Sequence, residues 1–257
     1  MLIRISFIAY KTIVVKEVLR FMRIWVQTIV PPAVTTALYF IIFGELIGAQ
    51  LGNIQGHSYM DYIVPGIILM SVLTHAYSNV VSSFYSTKFH HNIEELLIAP
   101  VPNAVILFGY VTGGIIRGLI VGVVVTLVAM CFTDINIHDY GVAISVAILT
   151  AALFALAGFI NAVFAKSFDD ISIIPAFVLT PLTYLGGIFY SMEMLPSFWQ
   201  SVSLINPILY MVNTFRYGLL GITDIRLGIA YTLILFFIGL LSIFALWLLK
   251  KGVGIKQ

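Results

Sequence analysis

The stretch YGVAISVAILTAALFALAGFINAVFA, Tyr140 to Ala165, decides the architecture, because it carries no charged side chain from end to end. A helix rises about 1.5 Å per residue, so a run this long exceeds the roughly 30 Å of hydrocarbon in a bilayer. It has no polar stripe to offer water, as the helix of a soluble domain would. Inside lipid a helix satisfies its own backbone donors and acceptors, which an open sheet or loop cannot do.

The same reading extends outward in both directions. Ile24 to Gly44, Tyr62 to Thr87, Ala104 to Thr133 (interrupted by Arg117), Ile171 to Met192 and Leu227 to Leu249 are each long and uncharged enough to cross. The expectation is an all-α integral membrane protein with six transmembrane helices, residues 24–257 forming one transmembrane domain. Pro31, Pro32, Pro65, Pro175 and Pro181 are expected to kink or start these helices. Composition agrees: the chain is 61% hydrophobic and 9% charged, which leaves a soluble fold without enough polar surface. A scattered net charge of +2 gives no basic patch for nucleic acid, and the lone Cys131 excludes an intrachain disulfide or a cysteine metal cluster.

Residues 1–23 precede the first span and cannot cross. Lys16, Arg20 and Arg23 fall on one helical stripe, and Arg4 and Lys11 on a second. This predicts an amphipathic interfacial helix with its basic side chains toward anionic headgroups. With six crossings, Lys88, Lys166, Lys250, Lys251 and Lys256 share a side with this helix, whereas the loops Glu45 to Asp61 and Asp134 to Asp139 contain no Lys or Arg. Both termini are therefore expected to be cytoplasmic. A seventh apolar stretch, Met194 to Phe215, would break that arrangement as a full span. Its Pro196, Asn206 and Pro207 suit a re-entrant helical hairpin before the last span.

No P-loop, zincin or nucleophile-elbow motif is present, so the chain has no means of its own to bind ATP through a P-loop. The acidic residues fall at predicted span boundaries, with Glu17, Glu94, Glu95, Asp169 and Asp170 on the cytoplasmic side. Span cores without carboxylates argue against ion coupling. The loop KFHHNIEELLIAPVPN, Lys88 to Asn103, places Phe89, Ile93, Leu96 and Leu97 on one helical face, with Asn92 and Glu95 spaced as a capping box. It reads equally as a lever for a cytoplasmic ATPase and as a solvated helix with no partner. The pairs His90/Glu94 and His91/Glu95 suggest a metal site, hence a lipid-modifying membrane enzyme as the alternative. However, successive pairs point about 100° apart and do not converge. In the loop Ala165 to Ser172, Asp169 or Asp170 is expected to cap the helix beginning near Ile171. Arg117 reads either as a residue lining a route and meeting an anionic headgroup, or as a structural arginine bonded to backbone carbonyls or snorkelling outward.

The run FDDISIIPAFVLTPLTYLGGIFYSMEMLP, Phe168 to Pro196, followed by NPILYMVNTFRYGLLG, Asn206 to Gly221, resembles the membrane subunits of type-2 ABC exporters. The resemblance implies a permease of the bacterial inner membrane that works as a homodimer with two copies of a separate ATP-binding subunit. ATP and Mg would be held by that partner, and none by this chain. It also implies that the helix around His91, Asn92, Ile93, Glu94, Glu95, Leu96 and Leu97 is a coupling helix, with Lys166, Asp169 and Asp170 as a second contact. Spans two and five would line the route, to which Arg117 is a candidate contributor.

Overall fold

A computed structural model describes residues 2–93 and 98–254. The chain opens with α1 (Leu2–Arg23), breaks at Ile24 and enters α2 (Trp25–Tyr39), which continues as a π-helical stretch over Phe40–Ile47. A four-residue α3 (Gly48–Leu51) leads to a small hairpin, β1 (Asn53–Ile54) against β2 (His57–Ser58). Its two-residue turn places Gln55 and Gly56 at positive φ, as the twist of a tight hairpin requires. Three long helices follow: α4 (Tyr59–Phe89), α5 (Asn103–Ala129) and α6 (Tyr140–Phe164).

Caps set their limits. Ser58 accepts the Asp61 amide at the start of α4, and Asp139 accepts the Val142 amide at the start of α6. The last helix, α11 (Leu227–Lys251), ends with Lys250 and Lys251 in its final turn and Gly252 in the left-handed conformation. Among the described residues, five helical segments are long and apolar enough to cross a membrane: Trp25–Gly44, Tyr59–Phe89, Asn103–Ala129, Tyr140–Phe164 and Leu227–Lys251.

The fifth apolar stretch of the sequence behaves differently. Its helix runs only from Asp170 to Tyr184, as α7 (Asp170–Ile174), a π-helical stretch at Pro175–Leu179, and α8 (Thr180–Tyr184). At about 1.5 Å per residue it is shorter than the hydrocarbon core. The chain stops spiralling because Gly187 takes φ +70° and the next residues turn back against α4. There Ile188 is fully buried, and Tyr59 and Tyr62 donate to the Phe189 and Tyr190 carbonyls. Two further helices, α9 (Ser197–Ile205) and α10 (Pro207–Leu220), meet at an elbow on Asn206. Asn206 accepts the Ile208 amide and donates to the Leu182 carbonyl at 2.6 Å, tying the elbow to α8.

The centre of the molecule is α4. Twenty of its residues are buried, and its neighbours approach it on glycines. A Cβ on Gly158 of α6 would lie 2.6 Å from the Tyr77 carbonyl, and one on Gly118 of α5 would lie 2.8 Å from the Val72 carbonyl. Without a strong hydrophobic drive between helices in lipid, close backbone approach over small residues is what holds such a bundle. The rim is apolar and open: Phe177, Phe198, Ile205, Phe236 and Ile243 are all exposed.

Candidate functional site

Two places in the molecule bring sequence-predicted residues together. The first is the end of the bundle where α4 finishes. Phe89 is the last residue of α4 and is not part of the following loop helix. His91 adopts a left-handed backbone with φ +58°, and helical geometry resumes at Asn92 and Ile93. This corrects the assignment of Phe89 to one face with Ile93: two residues of turn separate them, and the backbone reverses at His91. Ile93 is buried, with 1% exposure. Glu94, Glu95, Leu96 and Leu97 lie outside the described residues.

The loop after α6 packs onto this same end. Lys88 donates to the Val163 and Ala165 carbonyls, both at 2.7 Å, so a cation covers the C-terminal carbonyls of α6. Phe168 packs edge-on against Tyr85 and Phe89. His91 from the first loop and Lys166 from the second line one cavity of about 460 Å³, together with Tyr85, Phe164 and Gly254. The two predicted loops are therefore neighbours.

Capping here differs from expectation. Neither the Asp169 nor the Asp170 side chain accepts from an amide within the helix, although the Asp169 carbonyl accepts the Ser172 amide. Instead Ser167 accepts the Asp170 amide, while the Asp170 carboxylate accepts the Lys166 and Ser167 amides at 2.8 and 3.0 Å. The pair Ser167 and Asp170 forms a reciprocal capping box. The Lys166 amide, then the Ser167 donors, hold the Asp170 carboxyl below its ordinary value. The Asp169 carboxylate takes no part in this capping box. Among the described residues no group of three or more His, Cys, Asp or Glu side chains could hold a metal.

The second place surrounds Arg117. Two basic residues of the predicted interfacial helix also make contacts into the bundle: Lys16, half of whose side chain stays exposed, reaches Thr87 and Tyr110, and Arg20, 30% exposed, reaches Asn79. Glu17 is fully buried, accepting from Ser83 at 2.5 Å and from Arg20 at 3.2 Å. A carboxylate thus sits inside the bundle, where the span pattern gave none. The cause is local: Gly109 and Gly113, one turn apart on α5, have no side chain to hold α1 off. A Cβ on Gly109 would lie 2.7 Å from Ile13, and one on Gly113 would lie 2.5 Å from Glu17. The matched steps of Ile13/Gly109 and Glu17/Gly113 run α1 alongside α5 for at least a turn. Arg117 itself donates to the Asn79 side-chain oxygen at 3.5 Å, an acceptor already taken by Arg20 at 2.7 Å. The carbonyl-bonded alternative for Arg117 is not what forms.

With this geometry in view, sequence comparison is decisive. The family model for the ABC-2 type transporter matches residues 8–220. The chain belongs to the ABC-2 type transporter family. This ABC-2 family member is 53% identical over 256 residues to the inner membrane transport permease YadH of Escherichia coli K12, covering 100% of both chains. It is 24% identical over 214 residues to nodulation protein J of Neorhizobium galegae, covering 79% of this chain and 80% of that one.

One residue of this ABC-2 chain escaped the sequence reading. Arg216 on α10 is 1% exposed, the largest fully buried side chain in the described structure. It donates to the Gly187 carbonyl at 2.6 Å and the Tyr62 carbonyl at 3.3 Å, and its guanidinium stands 3.9 Å from the Tyr62 ring centroid. It joins α10, α4 and the turn after α8. The signal available was a single arginine in an otherwise uncharged stretch, MVNTFRYGLL.

Proposed function

We propose that this chain is the membrane-spanning permease subunit of an ATP-driven exporter of the bacterial inner membrane, powered by a separate ATP-binding subunit. Family membership together with full-length identity to a named inner membrane transport permease carries this reading. Two permease copies would pair as a homodimer and engage two ATPase copies, which would hold ATP and Mg. The short helix Asp170–Tyr184, continued by the turn packed on α4, would make the sixth crossing and α9–α10 the re-entrant hairpin. Both termini would then face the cytoplasm, in line with the basic residues gathered at that end. The α1 helix would enter from the interface and press its second half into the bundle.

The coupling surface would comprise His91, Asn92, Ile93, Glu94, Glu95, Leu96 and Leu97, with Lys166, Asp169 and Asp170 beside them. The shared cavity of His91 and Lys166 supports a single surface built from both loops. ATP-driven closure of the partner subunits would push this surface and tilt α4. Arg117 remains the pathway candidate, supported by its bond to Asn79 on α4.

The test is reconstitution with the ATPase that co-purifies from native membranes. Glu94→Lys with Glu95→Lys is expected to lower permease-stimulated ATP hydrolysis by about tenfold while thermal unfolding stays unchanged. Full stimulation in the double variant would remove the coupling role. Absence of any P-loop partner under crosslinking would remove the exporter reading.

A further inference from the structure

The charge count around Arg117 does not close within the protein. Glu17 is the carboxylate of both salt bridges among the described residues, with the half-exposed Lys16 and with Arg20. Arg117 has no carboxylate. Its recorded acceptor is the Asn79 oxygen that Arg20 already holds at closer range. The Nε groups of Arg20 and Arg117 and the Nδ2 group of Asn79 are buried without a hydrogen-bond partner, and Asn79 is fully buried. One turn along the same face of α4, the Nδ1 of His75 is also buried and unpartnered. His75 lines a cavity of about 230 Å³ between α2 and α4, walled by Pro31, Thr35, Ser71 and Thr74.

Depth matters to what could satisfy these donors. The 31 residues of α4 span about 46 Å, against roughly 30 Å of hydrocarbon, so each end protrudes by about 8 Å if the surplus is shared. Asn79 lies about 15 Å from the Phe89 end by helical rise, hence about 7 Å below the hydrocarbon boundary. Arg117 starts deeper, about 16 Å below that boundary by the same reckoning on α5, so its side chain reaches up to the Asn79 level and a headgroup drawn inward by about 7 Å would meet it there. Uncompensated guanidinium donors at this depth call for an anionic, multidentate oxygen ligand, and a phosphate group suits the fork of an arginine.

We propose that Arg20, Arg117 and Asn79 form a binding site for the phosphate of an anionic phospholipid drawn from the leaflet on the Lys88 side. Arg117 supplies the uncompensated charge, Arg20 shares the anion, and the Asn79 amide donates its free N–H. The acyl chains remain in the bilayer beside α1 and α2. The inference rests on membrane embedding and this geometry alone. It does not depend on the coupling scheme, so its failure and that of the exporter reading are separate results.

The test uses the full chain purified in mild detergent, with lipid retention read by native mass spectrometry and thermal unfolding followed in parallel. Wild type is expected to retain phosphatidylglycerol in preference to zwitterionic phosphatidylethanolamine. Asn79→Asp is the telling variant. It keeps the volume and the acceptor for both arginines, removes the free N–H and supplies the missing negative charge from within. Phosphatidylglycerol retention is expected to fall by about tenfold while the fold is kept. Arg117→Gln is expected to lose retention to a similar degree. Undiminished retention in Asn79→Asp, or equal retention of phosphatidylethanolamine, would overturn the site. Protection of wild type by inorganic phosphate as strong as by phosphatidylglycerol would overturn the lipid as its source.

Discussion

Arg216 and Arg117 are both arginines held within an apolar bundle, and their surroundings differ in kind. Arg216 gives two of its three nitrogens to carbonyl oxygens and stacks its guanidinium on the Tyr62 ring, leaving Nη1 unpartnered. Arg117 has one long bond to an oxygen it shares. A buried charge most of whose donors meet fixed acceptors joins elements together. A buried charge left short of acceptors is costly in lipid and marks a place where something else belongs. The first arginine reads as a structural staple, the second as a candidate ligand group.

The sharpest way to break this contrast is Arg216→Met. The substitution leaves the Gly187 carbonyl without its donor, removes the ring contact and frees α10 from the turn after α8. About 3 kcal/mol of stability is expected to go, read by thermal or denaturant unfolding in detergent. A loss below about 1 kcal/mol would show that the carbonyls find other partners, and the staple reading would fall.

Sequence made the apolar scaffold legible and left these two sites largely hidden, for a physical reason. A crossing helix must be long and uncharged over its own length, so runs such as Tyr140 to Ala165 declare themselves. A polar contact inside the bundle depends on what lies opposite, and Arg20 meets Asn79 across 59 residues of chain. The contacts that Lys16 and Arg20 make into the bundle were masked because a stripe of cations looks the same whether or not it also meets a groove. The signal that separates the two lies on another helix, in Gly109 and Gly113 at one-turn spacing. Arg216 was hidden because its acceptors are backbone carbonyls, which no residue type announces. The halt of the fifth apolar helix at Tyr184 was likewise unreadable from apolarity, which continues unbroken to Met192. The loops were legible as neighbours only through the family resemblance, and their acidic core, Glu94 and Glu95, lies outside the described residues.

A second, smaller perturbation tests the inner site from its packing. Gly113→Ala would place a Cβ 2.5 Å from the Cβ and 2.9 Å from the Cγ of Glu17. Moving α1 off α5 is expected to cost about 1–3 kcal/mol. It would also break the Arg20 contacts with Asn79 and Glu17, and faster chemical modification of Arg20, 30% exposed in the packed state, serves as the specific readout. A neutral result with unchanged modification would mean that α1 is loosely attached, and the contacts of Arg20 into the bundle would not stand. The contrast position is Gly239 on α11, where a Cβ meets nothing within 4 Å and alanine should be tolerated.

The smallest expected effect is the most informative. Arg117→Met removes one stretched hydrogen bond and one uncompensated charge, two changes of opposite sign, so stability in a neutral detergent should move by less than about 1 kcal/mol. An equal loss in Arg117→Met and Arg216→Met would erase the distinction between the two arginines. Adding phosphatidylglycerol sharpens the comparison, because a ligand that binds only the folded chain raises its stability in proportion to RT ln(1 + [L]/Kd). Wild type and Arg216→Met keep the inner site and should both gain. Arg117→Met should not, since the charge that would hold the phosphate is gone while every contact of the staple remains.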